Sequence, residues 1–145
     1  MGKTNSRHWL WLLVAISLIW TSVSLAQAAE QEIKPLKEWQ GRIDRGLQKA
    51  KPARGFISSQ AELDRLWTAW QIPGDKPPVD FKAQVLLVGT CNCSRIWLSP
   101  LLNDQGNLNP QVIVTKDLRE DTAYIVVLIP RRGVRTIAGK PLEAN

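Results

Sequence analysis

Cys91 and Cys93, the only cysteines in this 145-residue chain, are its residues best suited to chemistry, and they stand one residue apart. On a straight strand their α-carbons would lie about 6.6 Å apart, two steps of roughly 3.3 Å. A disulfide usually spans about 4.4–6.8 Å, so a bond requires the chain to bend between them. Asn92 suits a bend, and Thr90-Cys91-Asn92-Cys93-Ser94 reads as a turn between two strands. Closing so small a loop constrains the unfolded chain little, so the bond adds little stability and is expected to be strained and reducible. Three readings stay open: a local disulfide, two plain thiols, or a redox or soft-metal site for Cu(I) or half of a zinc centre. Two thiolates fall short of zinc's usual four ligands, so carboxylates or a second chain would have to complete the shell.

The one histidine, His8, and the one methionine, Met1, both fall in residues 1–28. That segment has the parts of a secretory signal peptide: Lys3 and Arg7, an apolar run over 9–20, and Ala26-Gln27-Ala28 as a small-x-small cleavage pattern. The alternative is a retained anchor, since residues 9–26 approach spanning length. Thr21, Ser22 and Ser24 interrupt the run, and no cysteine follows to carry a lipid. Cleavage would leave 117 residues with 17 basic against 13 acidic side chains, a net charge of +4, and no imidazole. Such a chain is expected to be secreted or periplasmic, with no stable membrane span. Nucleophiles activated by histidine and histidine-ligated zinc, copper or haem are then excluded. No cofactor and no enzymatic activity are expected.

The carboxylates offer less. Asp117, Glu120 and Asp121 could attract a hard cation, but they lack the glycine and alternating spacing of a calcium loop, and Lys116 and Arg119 stand among them. A solvated loop is expected. Asp80 has no partner to tune it for catalysis and is expected to cap a turn. Across 34–54 the balance is basic, with Lys34, Lys37, Arg42, Arg45, Lys49, Lys51 and Arg54 against Glu38 and Asp44. This is either a solvated face or a patch for an anionic surface such as lipid headgroups or acidic glycans. Lys49, Lys51, Arg54 and Arg95 are the interaction candidates, and nucleic acid is not an expected partner.

The elements that would position these groups follow from hydrophobic spacing. Ser59 stands three residues before Glu62, a capping-box spacing. Leu63, Leu66, Trp67 and Trp70 form one apolar stripe that Pro73-Gly74 ends. The tryptophan pair could stack a ligand, but a short helix needs that stripe for packing. Continuous apolar runs at 85–88 and 124–129 predict strands covered on both faces. Residues 96–98 and 112–115 predict two more strands, Arg131-Arg132-Gly133 predicts a hairpin turn into an alternating strand at 134–137, and 141–145 reads as a tail. One helix with short-linked strands predicts an α+β fold, one amphipathic helix packed on a mainly antiparallel sheet of about five strands. The organisation is 1–28 signal peptide, 29–55 basic segment forming a linker or edge strand, and 56–140 a single α+β domain.

Laid out in this order, Phe56-Ile57-Ser58-Ser59, Leu63-Asp64-Arg65-Leu66-Trp67, Pro78-Val79-Asp80-Phe81 and Val85-Leu86-Leu87-Val88 make a recognisable series. It resembles a pattern in uncharacterised bacterial exported proteins and in the C-terminal domain of PrcB-type protease-complex subunits. Tyr124 to Ile129 with Gly133-Val134-Arg135 is similar to that family's closing hairpin. The resemblance spans residues 56–137 and implies a compact, strand-rich domain without known enzymatic activity. Where the family carries a glycine-rich turn with an aromatic, this chain has Cys91-Asn92-Cys93-Ser94-Arg95, so the resemblance assigns no functional residue. The leading expectation is an exported domain that binds or regulates another envelope protein. Thiol redox or copper handling by Cys91 and Cys93, and polyanion binding through 34–54, are the alternatives.

Overall fold

The two continuous apolar runs pair with each other at the centre of the molecule. In the computed structural model, which describes residues 29–142, β4 (Gln84–Cys91) and β7 (Thr122–Pro130) run antiparallel in register from Gln84↔Pro130 to Cys91↔Ala123. The signal-peptide reading of 1–28, with His8 and Met1, lies outside the described residues. Successive side chains on a strand point to opposite faces, so each of these strands feeds two cores. Val85, Leu87, Ile125, Val127 and Ile129 enter one, and Leu86, Val88, Tyr124, Val126 and Leu128 enter the other. β3 (Phe56–Ile57) flanks β4, and β2 (Lys37–Ile43) flanks β7 along its whole length, completing a four-stranded sheet.

α1 (Gln60–Trp70) covers one face of this sheet with Leu63, Leu66, Trp67 and Trp70, all buried. Both tryptophans belong to the core, and the Trp70 indole N–H donates to the Leu47 carbonyl at 2.9 Å. Ser59 caps the helix by accepting from the Glu62 N–H at 3.3 Å. The return bond differs from a capping box by one residue. Glu62 accepts from the Ser58 N–H at 3.0 Å and from Arg54 at 2.9 Å. Gln71, in the left-handed region at φ 49°, ends the helix before Pro73 is reached.

The other face meets a second sheet, which corrects the expectation of a single sheet of about five strands. β1 (Gln31–Glu32), β5 (Ile96–Leu102), β6 (Asn107–Val114), β8 (Thr136–Ile137) and β9 (Lys140–Pro141) are ordered β1-β5-β6-β8-β9. Ile96, Leu98, Leu108 and Ile137 from this sheet close the core against β4 and β7. The result is three layers, sheet on sheet on helix, largely antiparallel and of mixed α and β content. The sheets divide because the chain does not fold β5 back onto β4. It turns a corner at residues 92–95 and enters the other layer.

Two further expectations change. Arg131 to Val134 does turn, with the Val134 N–H on the Arg131 carbonyl at 3.0 Å, but β8 leaves β7 and pairs parallel with β6. Gly106, at φ 81°, permits this, because its carbonyl accepts from the N–H groups of Arg135 (2.7 Å) and Thr136 (3.2 Å). Pro141, the start of the expected tail, is the second residue of strand β9 (Lys140–Pro141). The basic segment supplies edge strands, as one of its two readings expected: β1 and β2 each stand at the edge of a sheet, and Leu47 and Ala50 of a 3-10 helix at Arg45–Ala50 pack against the helix-side core. Among the described residues no helix is long and apolar enough to cross a membrane.

Candidate functional site

The corner between the sheets is where the chain's unusual residues gather. Cys91 ends β4 and Cys93 turns inward, and the two sulfurs are joined in a disulfide with α-carbons 5.3 Å apart. That separation is shorter than the straight-strand value because residues 92–94 bend. Cys91 is half-buried and Cys93 is buried among the apolar residues of the inter-sheet core. The bond expected to be reducible therefore has one sulfur in the core. Bonded to each other, the sulfurs are not thiolates, so in this form Cys91 and Cys93 offer nothing to Cu(I) or zinc.

Side chains from distant parts of the chain hold the corner. Asp117 accepts from both the backbone N–H (3.0 Å) and the hydroxyl of Ser94, and from the Thr115 hydroxyl. These hydrogen bonds, the Ser94 hydroxyl first, hold the Asp117 carboxyl well below the usual carboxylate range. Arg42, on β2, makes a bidentate pair with Asp121 and reaches the carbonyls of Cys93 and Ser94, each at 3.3 Å. Arg45 donates to the Arg119 carbonyl at 3.1 Å. With its amide nitrogen toward Thr122, Asn92 presents its oxygen to the Arg45 guanidinium at 2.8 and 3.0 Å. The acids of this loop are thus not a plain solvated cluster: Asp117 and Asp121 fasten the turn. Among the described residues no three histidine, cysteine or acidic side chains converge as a metal site would need.

The predicted interaction residues separate. Arg42 and Arg45 belong to the corner, so the basic run does not form one continuous stripe. Lys49, Lys51 and Arg54 line a cleft beside α1, joined by Arg65. Arg95 lies elsewhere, in a shallow groove with Trp97, Arg42 and Tyr124 next to the disulfide.

Spacing alone did not single out the outer end of β6. Pairing places Trp97 opposite Ile113 on the exposed face of the second sheet, and Val112 and Val114 opposite the buried Leu98 and Ile96. The valines are nevertheless 46% and 44% exposed, Ile113 52% and Trp97 43%. Among the described residues β8 pairs with β6 only at Asn107 and Leu108, and the rest of β6 is an open edge. Odd-numbered residues of this hairpin bond across it, as the Thr115 N–H to Arg95 carbonyl and Asn103 N–H to Asn107 carbonyl bonds show. The N–H and C=O groups of Val112 and Val114 therefore point away from β5 toward solvent. The apolar run 112–114 was legible as a strand, but its lack of a neighbour depends on where β8 goes.

Fold and site together define a three-layer domain with a disulfide corner and an open apolar edge. Comparison with protein families, curated proteins and solved structures yields no match.

Proposed function

We propose that this chain is an exported binding domain of the cell envelope, without enzymatic activity, that captures an extended segment of a partner protein by strand addition. The observation that carries the reading is the open edge of β6, whose free ladder at Val112 and Val114 lies beside exposed Trp97 and Ile113. An open apolar edge pairs with any strand presented to it unless it is blocked. Pro110 limits the ladder at one end by removing a donor, so the edge offers a short, defined register. Arg95 and Lys116, both exposed, border it. The occupant is accordingly an extended segment with alternating apolar residues and an acidic residue near one end. A homodimer closed by so short a ladder would fall below the roughly 800 Å² per partner of stable interfaces, which favours a partner's flexible segment. The buried Cys93 favours binding over thiol turnover, since an attacking thiolate needs access.

The test is photo-crosslinking in intact cells from Ile113, with a probe at Thr68 on α1 as reference. A partner crosslinked from Ile113 alone, and lost in Val114→Lys but not in Thr68→Lys, supports the reading. Crosslinking only to a second copy, with Val114→Lys converting a dimer to a monomer in sedimentation, replaces it by self-pairing. Equal crosslinking from both positions removes the edge from consideration.

A further inference from the structure

The cleft beside α1 lies in the helical layer, and none of its lining residues belongs to the β6 edge. It occupies about 360 Å³ between α1 and the loop after the 3-10 helix and is lined by Lys49, Lys51, Arg54, Glu62 and Arg65. That volume lies near the lower end of ligand clefts, roughly 300–1,000 Å³. Among the described residues its one acid is already committed, because Glu62 accepts from Arg54 and from the Ser58 N–H. The Arg54 guanidinium also lies 4.7 Å from the centroid of the buried Phe56 ring, which fixes that wall. Among the described residues no carboxylate lies within ion-pair distance of Lys49, Lys51 or Arg65. Lys51 is also half-withdrawn from water, and this desolvation lowers its pKa. Elsewhere Arg42 and Lys76 have found acidic partners. Three cations converging on one cleft, beyond a neutralised Arg54–Glu62 pair, are an arrangement that a multivalent anion would complete.

We infer that this cleft binds a phosphoryl group, carried either by a small soluble ligand or by a phosphorylated lipid headgroup. A single carboxylate would offset only one of the three charges. A phosphoryl group carries up to two charges and enough acceptor oxygens to meet two ammonium groups and a guanidinium together. The loop that carries Lys51 is restrained to receive it: the Gly55 N–H bonds the Pro52 carbonyl at 2.9 Å, and Lys140 bonds the Ala53 carbonyl at 3.2 Å.

The experiment is calorimetric titration of the exported protein with inorganic pyrophosphate, alongside co-sedimentation with phosphatidylcholine vesicles with and without phosphatidic acid. Saturable pyrophosphate binding is expected, weakened roughly tenfold by Lys51→Gln and by Arg65→Gln. The Lys34→Gln/Lys37→Gln pair, which removes two charges on and before β2, is expected to leave it unchanged. Lys51→Gln removes a desolvated charge, so its thermal midpoint is expected to hold or rise while affinity falls, which separates lost binding from lost folding. Vesicle binding that requires phosphatidic acid and is displaced by pyrophosphate identifies the headgroup as the source, and pyrophosphate binding without vesicle binding identifies a soluble ligand. Absence of saturable pyrophosphate binding overturns the inference. So does an equal loss in the Lys34/Lys37 variant, which would reduce the effect to general charge. None of these outcomes bears on the β6 edge.

Discussion

Gly41 sits opposite Tyr124 across β2 and β7, and the aromatic ring occupies the space that a side chain would need. A β-carbon there would lie 2.6 Å from the tyrosine hydroxyl and 2.8 Å from two ring carbons. The ring cannot swing away freely, because Trp70 packs against it with centroids 5.2 Å apart. Gly41→Ala is therefore expected to cost about 1–3 kcal/mol by overpacking, measured from urea unfolding. Adding Tyr124→Phe should restore only part of this, since the ring carbons clash as well. Asp117 makes a different kind of contribution, visible through pH. Its folded carboxyl titrates below the ordinary carboxylate value of about 3.9. As pH falls below about 4, the unfolded chain takes up a proton that the folded chain still refuses, so stability is present at neutral pH and lost in acid. The melting temperature followed from pH 5 downward is expected to fall less steeply in Asp117→Asn than in the wild type. Equal slopes would remove Asp117 from the clamp on the disulfide corner.

At the scale of elements, α1 shows what local sequence can specify. Its stripe, its Ser59 cap and its place between sheet and solvent all follow from residues within one helix, and Ser59→Ala is expected to cost about 1 kcal/mol by chemical denaturation. Loss of Glu62 should cost as well, because its bonds tie the loop carrying Arg54 and Ser58 to the helix start. The strands were legible for the same reason, through apolar runs whose burial on both faces is confirmed in β4 and β7. Their partners were not. Whether β5 returns along β4 or crosses into another sheet is decided at residues 92–95. The bonds that hold that corner come from Arg42, Asp117 and Asp121, distant in the chain. The cysteine spacing announced a bend and a local bond, but no spacing rule announces an arginine 51 residues away on the Cys93 carbonyl. The parallel pairing of β6 with β8 was hidden likewise, because a Gly-containing turn after a strand normally suggests a hairpin.

Across the whole molecule, β4 and β7 are the shared wall of two cores, and this has a consequence for unfolding. Leu87 and Ile125 face the second sheet, while Leu86 and Val126 face α1, from adjacent positions on the same two strands. Neither outer layer can keep its apolar face dry without that wall, so the helix and the outer sheet are expected to open together. Leu87→Ala should cost about 2–5 kcal/mol although its side chain points away from α1. The informative measurement is hydrogen exchange resolved by segment. In Leu87→Ala the slowest amides of α1 and of β5 are expected to lose protection by the same factor, because both then report one global opening. Leu66→Ala, in the helix-side core, should produce the same joint loss from the opposite direction. If Leu87→Ala instead releases β5 while α1 keeps its protection, the outer sheet is a separate cooperative unit. The β6 edge would then be carried by a layer able to detach from the rest, and strand addition there would have to supply part of that layer's own stability.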